Sequence, residues 1–289
     1  MGKVLIIADV KNKCFATPRG LELAARLERD TDVVAFTYAS LKHLNDQPDE
    51  QARIRQQLLA EREKEVRARI EKHCQPQQKV DLDVVWEKDI HHWINQKCKS
   101  GGYDAVLKTG HRSETLVHTP TDWELLRQCP APVLLVAENK WHRTRPVLVT
   151  LDLASKSRTK KALNNKVLAA GKLLADTLEV ELEIITAVEI PTLLADMDLV
   201  DPIAYVKSAT ASMQPQILKL AATHDIPAKN FRCKRGPVSK VITSRAAKVR
   251  AQIVVMGTVG RKGVKARLLG NTAEKVLRHM KTDVLAIKP

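Results

Sequence analysis

Aromatic residues are scarce in this 289-residue chain, at 3%. So few rings cannot build the base-stacking platforms on which single-stranded nucleic acid is held. Cysteine is also sparse: Cys14, Cys74, Cys98, Cys129 and Cys233 are odd in number, scattered and never spaced C-x-x-C. That excludes a disulfide framework or structural zinc site and fits reduced thiols in a cytoplasmic protein. No run approaches the ~18 apolar residues of a membrane span. The apolar run Val4–Ala8 stops at Asp9, so it reads as a buried strand and not a leader. Acid is missing from one region in particular. Residues 1–145 carry 24 basic and 21 acidic side chains, whereas residues 146–289 carry 24 and 12. From Ile226 onward 16 basic residues face only Glu274 and Asp283, so the overall charge of +15 reads as a local site for an anion.

What is present is an alternation. Runs at Val4–Ala8, Val33–Tyr38, Val80–Trp86, Ala105–Lys108 and Val133–Val136 read as strands. Pro18–Glu28, Asp49–His73, Asp89–Cys98 and Thr121–Gln128 between them read as helices. The second half repeats the order. Its strands fall at Val147–Leu151, Glu181–Ala187, Ala228–Cys233, Ile253–Met256 and Val284–Ile287. Its helices fall near Ser157–Leu178, Tyr205–His224, Val238–Val249 and Thr272–Met280. Such alternation predicts α/β domains with five-stranded, doubly wound parallel sheets of Rossmann-like type. The repeat is visible in letters: Val4-Leu-Ile-Ile-Ala-Asp9 matches Val147-Leu-Val-Thr-Leu-Asp152, and Thr121–Arg127 matches Thr272–Arg278. With the polar linker Glu138–Arg145 between them, the domains are read as 1–140 and 146–289. The period is far longer than a solenoid's.

The richest chemistry follows the fourth strand of the second half. Gly257 and Gly260 end that strand, and Gly270-Asn271-Thr272 opens a helix. Glycines admit close backbone approach to a phosphate, and a helix N-terminus offers unpaired N–H donors. Arg261, Lys262, Lys265 and Arg267 lie between them without an acid, the charge a polyphosphate needs. The first half's counterpart, Leu107–Pro120, has one glycine, Gly110; it also carries Glu114, and Pro120 stands where Asn271 would. No nucleotide is expected there. His91-His92 is not read as a metal site, because neighbouring helical positions diverge. Trp86 and Trp123 read as core, and Asp49–His73 as a solvated helix with an inward Ile54/Leu58/Val66/Ile70 stripe. No Ser-His-Asp, paired-carboxylate or H-E-x-x-H arrangement occurs, so no catalyst is expected.

Gly257-x2-Gly260-x9-Gly270 resembles the nucleotide-binding signature of the universal stress protein family, and the duplicated chain resembles its tandem members. The family's serine or threonine after the last glycine is here Asn271, whose amide can still donate to phosphate. The resemblance implies ATP with a divalent cation, Mg or Mn, and a cytoplasmic stress-response role with little or no catalysis. It assigns adenine contacts to Asp152 with Leu153 and to Ala187 or Val188, and a ribose contact to Met256. From the residues alone, Asp152 either accepts from an exocyclic amine or caps a turn. Two homologous domains are expected to pack as a pseudo-dimer, with Val133–Val136 and Val284–Ile287 at the seam, in a monomer or a homodimer. Another reading remains open: another anionic or lipid-like ligand, with the first half as scaffold or apolar pocket. A protein partner is expected but not identified, and the basic C-terminal region alone makes a weak case for nucleic acid.

Overall fold

Each aliphatic run becomes a parallel strand, and each amphipathic stretch becomes the crossover helix that parallel pairing requires. The computed structural model describes residues 2–10, 14–44, 46–110, 120–139, 141–142, 144–197, 199–258 and 270–289. The chain divides into two compact units, Met1–Asn139 and Lys140–Pro289.

The first unit runs β1 (Lys3–Ala8), α1 (Ala16–Arg26), β2 (Asp30–Thr37), α2 (Pro48–His73), β3 (Val80–Trp86), α3 (Ile90–Gly101), β4 (Tyr103–Thr109), α4 (Pro120–Gln128) and β5 (Val133–Val136). Its strands lie in the order β3-β2-β1-β4-β5, every neighbouring pair parallel. The second runs β6 (Val147–Thr150), α5 (Arg158–Leu178), β7 (Leu182–Val188), α6 (Thr192–Asp196), α7 (Pro202–Thr223), β8 (Phe231–Arg235), α8 (Val238–Val249), β9 (Ile253–Gly257), α9 (Asn271–His279) and β10 (Asp283–Ile287). Its order, β8-β7-β6-β9-β10, is the same and again parallel throughout. Strand order therefore reverses direction between β1 and β4, and between β6 and β9. In a doubly wound sheet that switch point opens a crevice at the carboxyl ends of the strands.

Both cores are aliphatic. Leu5, Ile6, Leu21, Ile94, Leu125 and Leu126 are fully buried in the first, and Leu148, Leu168, Ile184, Ile185, Ile253 and Leu277 in the second. Helix ends follow local chemistry. Asp89 accepts the His92 N–H at 3.1 Å to cap α3, which stops at Gly102 in the left-handed region (φ 60°). Asp201 accepts the Ala204 N–H at 2.6 Å and Pro202 fills the first position of α7, three residues before the start read from the sequence.

Four details differ from the sequence reading. Ala228–Asn230 is a 3-10 turn and β8 begins only at Phe231, because Ala, Lys and Asn after Pro227 are poor strand formers. The short α6 was not expected. The inward stripe of α2 buries Val66 and Ile70 as expected, but Ile54 and Leu58 are only half-buried. Between the two pairs Arg62 is buried, at 6% exposure. Trp86 and Trp123 are half-buried, not core residues: Trp86 ends the edge strand β3, and Trp123 lies under the Arg127 guanidinium at 5.9 Å.

Candidate functional site

The register places most of the expected residues along one edge. Thr150 of β6 pairs with Ile185 of β7 on one side and Met256 of β9 on the other. Residues just beyond those levels therefore share the carboxyl edge of the β7-β6-β9 trio: Asp152 and Leu153, Ala187 and Val188, Met256 and Gly257. Leu153, Val188 and Met256 are buried there, at 4%, 4% and 3% exposure. Asp152 beside them has 48% of its side chain exposed.

The turn that carries Asp152 is held from several directions. The Leu151 N–H donates to the Ile185 carbonyl at 3.1 Å, and the buried Thr186 hydroxyl donates to the Leu151 carbonyl at 3.1 Å. Asn164, buried on α5, accepts the Asp152 N–H at 3.2 Å and donates its own amide to the Asp152 carbonyl at 2.9 Å. With both main-chain groups fixed, only the carboxylate is adjustable. Lys160, also on α5, lies 2.7 Å from it. Neither Asn164 nor Lys160 was singled out from the sequence. The available signal was the basic run Lys156, Arg158, Lys160, Lys161 around the start of α5, where cations oppose the helix dipole.

Gly257 is the last residue of β9, and a Cβ there would lie 2.7 Å from Cδ2 of the buried Leu163. Packing of α5 across the strand end thus accounts for this glycine before any ligand is considered. The next residue, Thr258, donates its N–H to the Ile287 carbonyl at 2.8 Å. Gly270 is the N-cap of α9, with extended backbone and no side chain to satisfy the first-turn N–H groups. Asn271 begins the helix and Thr272 is exposed in its first turn. Gly260, Arg261, Lys262, Lys265 and Arg267 lie outside the described residues, as does Glu114 in the first half.

The same edge of the first unit is closed by its own side chains. Gly110 donates its N–H to the Val136 carbonyl at 2.9 Å, as Thr258 does to Ile287, so Lys108 is the counterpart of Met256 and Thr109 that of Gly257. Lys108 is buried, with its ammonium 2.8 Å from the fully buried Asp122 and 3.9 Å from Asp9. The Asp9 side chain is 9% exposed, against 48% for its counterpart Asp152. The Thr109 hydroxyl accepts the Phe15 and Ala16 N–H groups at 3.1 and 3.0 Å and so caps α1 from outside. From α2, Arg62 donates to the Ala8 carbonyl at 2.7 Å and Arg69 to the Asp9 carbonyl at 2.9 Å. The sequence reading rested on Pro120 and Glu114 and missed this cluster. Pro120 does occupy the first position of α4, as Asn271 does of α9.

His91 Nδ1 lies 2.8 Å from Asp89, and among the described residues no three His, Cys, Asp or Glu side chains are grouped to hold an ion. Among the same residues no helix is long and apolar enough to cross a membrane.

Residues 143–288 match the family model described as the universal stress protein family. The chain is 33% identical over 273 residues to universal stress protein E of Salmonella typhi, covering 92% of this chain and 86% of that one. It is 26% identical to the universal stress protein E homolog of Haemophilus influenzae, covering 99% and 97%. A solved structure of a putative universal stress protein from Pseudomonas aeruginosa UCBPP-PA14 superposes with a TM-score of 0.73 at 21% identity, over 99% of this chain and 93% of that one, a likeness of fold. Two tandem Rossmann-like halves, a signature that spans β9 to α9, and relatives matched along nearly the whole length lead to one conclusion: the chain belongs to the universal stress protein family.

Proposed function

We propose that the second half is a nucleotide-binding module of ATP type, used in a cytoplasmic stress response without catalysis of its own. The observation that carries this reading is where the ends of the glycine signature fall: Gly257 closes β9 and Gly270 caps α9, both beside the switch point. Adenine would lie over Leu153, Val188 and Met256, with Ala187 flanking it and its exocyclic amine directed to Asp152. Phosphates would meet the free N–H groups at Asn271 and Thr272, Gly260, and the cations Arg261 and Lys262. A divalent ion, Mg or Mn, would arrive on the phosphates, since such ions need no all-protein cage. Bound nucleotide would change the surface that a partner protein meets.

Calorimetry with the full chain tests this. A single equivalent of ATP is expected per chain, abolished by Gly260→Val. Joint replacement of Arg261 and Lys262 by alanine is expected to weaken ATP by roughly tenfold and adenosine hardly at all, since charged hydrogen bonds contribute ~1.5–3 kcal/mol. Two equivalents, or ATP binding indifferent to Gly260→Val, would overturn the reading.

A further inference from the structure

The first unit carries a second opening, away from its closed strand-end cluster. The helix α2 has 26 residues and β3, the edge strand that follows it, has seven. At 1.5 Å per helical residue and about 3.3 Å per strand residue, the helix outruns the strand by roughly 16 Å. In a parallel βαβ unit the crossover helix runs against the strands, so the overhang can extend past their carboxyl ends. The residues agree. The buried positions of α2 are Arg62, Val66 and Ile70, and nothing N-terminal to Arg62 is fully buried.

Under this overhang lies a cleft of about 660 Å³. Its floor is apolar, with Leu41 and Leu59. One wall is the Tyr38–Trp86 pair from the ends of β2 and β3, with ring centroids 5.7 Å apart and tilted by 52°. The other is α2, whose Gln51 amide donates to the Leu44 carbonyl at 2.8 Å and to the Leu41 carbonyl at 3.4 Å, tying the 3-10 turn Lys42–Leu44 to the helix. The cleft is cationic. The Arg55 guanidinium sits 5.7 Å from the Trp86 ring centroid, Lys42 lies on the facing turn, and the residues lining the cleft include no carboxylate. Among the described residues neither Arg55 nor Lys42 takes part in an ion pair. In a chain with only ten aromatic residues, two flank one opening, and Tyr38 remains 47% exposed.

We propose that this cleft binds a small aromatic acid, a planar ring carrying one carboxylate or comparable anionic group. The ring stacks against Tyr38 and Trp86 over the apolar floor, and the anion is taken by Arg55 and Lys42. A flat π-surface suits paired aromatic walls better than a flexible chain does, because aromatic pairs gain beyond the area they bury. Two cations with no carboxylate among the lining residues favour an anion over its neutral isostere. The volume falls within the ~300–1,000 Å³ typical of small-molecule sites. The site is independent of the nucleotide reading, since it lies in the other half of the chain.

Calorimetry on the full chain with 1-naphthoate as probe tests it, beside 1-naphthamide as the neutral isostere and decanoate as the aliphatic anion. Naphthoate is expected to bind more tightly than either, with an affinity unchanged by saturating ATP. Arg55→Gln, at an exposed position, is expected to weaken naphthoate roughly fivefold and to leave naphthamide where it was. Trp86→Leu is expected to weaken both aromatic probes and not decanoate. Absence of binding at millimolar naphthoate, indifference to Arg55→Gln, tighter binding of decanoate, or displacement by ATP would each overturn the proposal.

Discussion

Lys108 shows how one residue changes what a strand end can do. It occupies the position of Met256, yet its ammonium lies between Asp122 and Asp9 with almost no exposure. Removing one member of a buried ion pair costs about 3–5 kcal/mol, because a charge is left in a medium that solvates it poorly. Lys108→Met should therefore lower the urea midpoint of the chain markedly, although methionine is the residue the other half carries. Adding Asp122→Asn should recover part of the loss, since the amide brings no charge into the core. A Lys108→Met chain as stable as the parent, or a double variant no better than the single, would count against this balance of charges. The position that the proposed site gives to the ribose, Met256 in the second half, is thus held in the first by a cation of the protein's own, and Asp9 is buried where Asp152 is exposed.

Among the elements, α5 packs closely on the end of β9 at Gly257, where a methyl group would lie 2.7 Å from Leu163. Gly257→Ala should destabilise the chain by about 1–3 kcal/mol through overpacking. Leu163→Val in the same background removes one methylene, at about 0.8 kcal/mol, and should return the part of the loss that comes from overpacking. If stability returns and ATP affinity does not, Gly257 serves phosphate approach as well as packing; if both return, it serves packing alone. Calorimetry and thermal unfolding of the three variants separate the two. This pair also marks how far the sequence could be read. Strand–helix alternation, the duplication and the helix-opening glycine were legible because they are periodic or local: β1, β3, β5, α8 and α2 lie within a residue or two of the expected bounds. What α5 does at the site was not. Asn164 acts on Asp152 from twelve residues away, and Lys160 from eight, through a turn whose geometry no spacing reveals. Arg62 could have been found, since it sits in the gap of the i, i+4 ladder Ile54, Leu58, Val66, Ile70. A charge in that slot must be paired inside. Trp86 was misplaced because an aromatic residue at the end of a β-branched run looks the same whether the strand is central or at the edge.

On the scale of the whole molecule, duplication has let two copies of one sheet carry charge differently. The first half has nearly balanced charges and uses buried ones to close its own strand ends; the second has an excess of 12 cations and leaves Asp152, the counterpart of Asp9, exposed. That acid is nevertheless engaged, since Lys160 holds it at 2.7 Å. At the proposed site an incoming base would have to displace a lysine, whereas incoming phosphates would meet cations with no such rival in the sequence between Gly260 and Gly270. Ionic strength should therefore pull the two ends of a nucleotide in opposite directions. The Debye length falls from ~10 Å at 0.1 M salt to ~3 Å at 1 M, loosening the lysine's hold while weakening the phosphate contacts. Adenosine should bind no worse, or up to a few-fold better, as salt rises, and ATP should bind steadily worse; Lys160→Met should flatten the adenosine response alone. If the proposed site is right, a chain built this way would distinguish a nucleoside from its triphosphate by the saltiness of its surroundings as well as by contact.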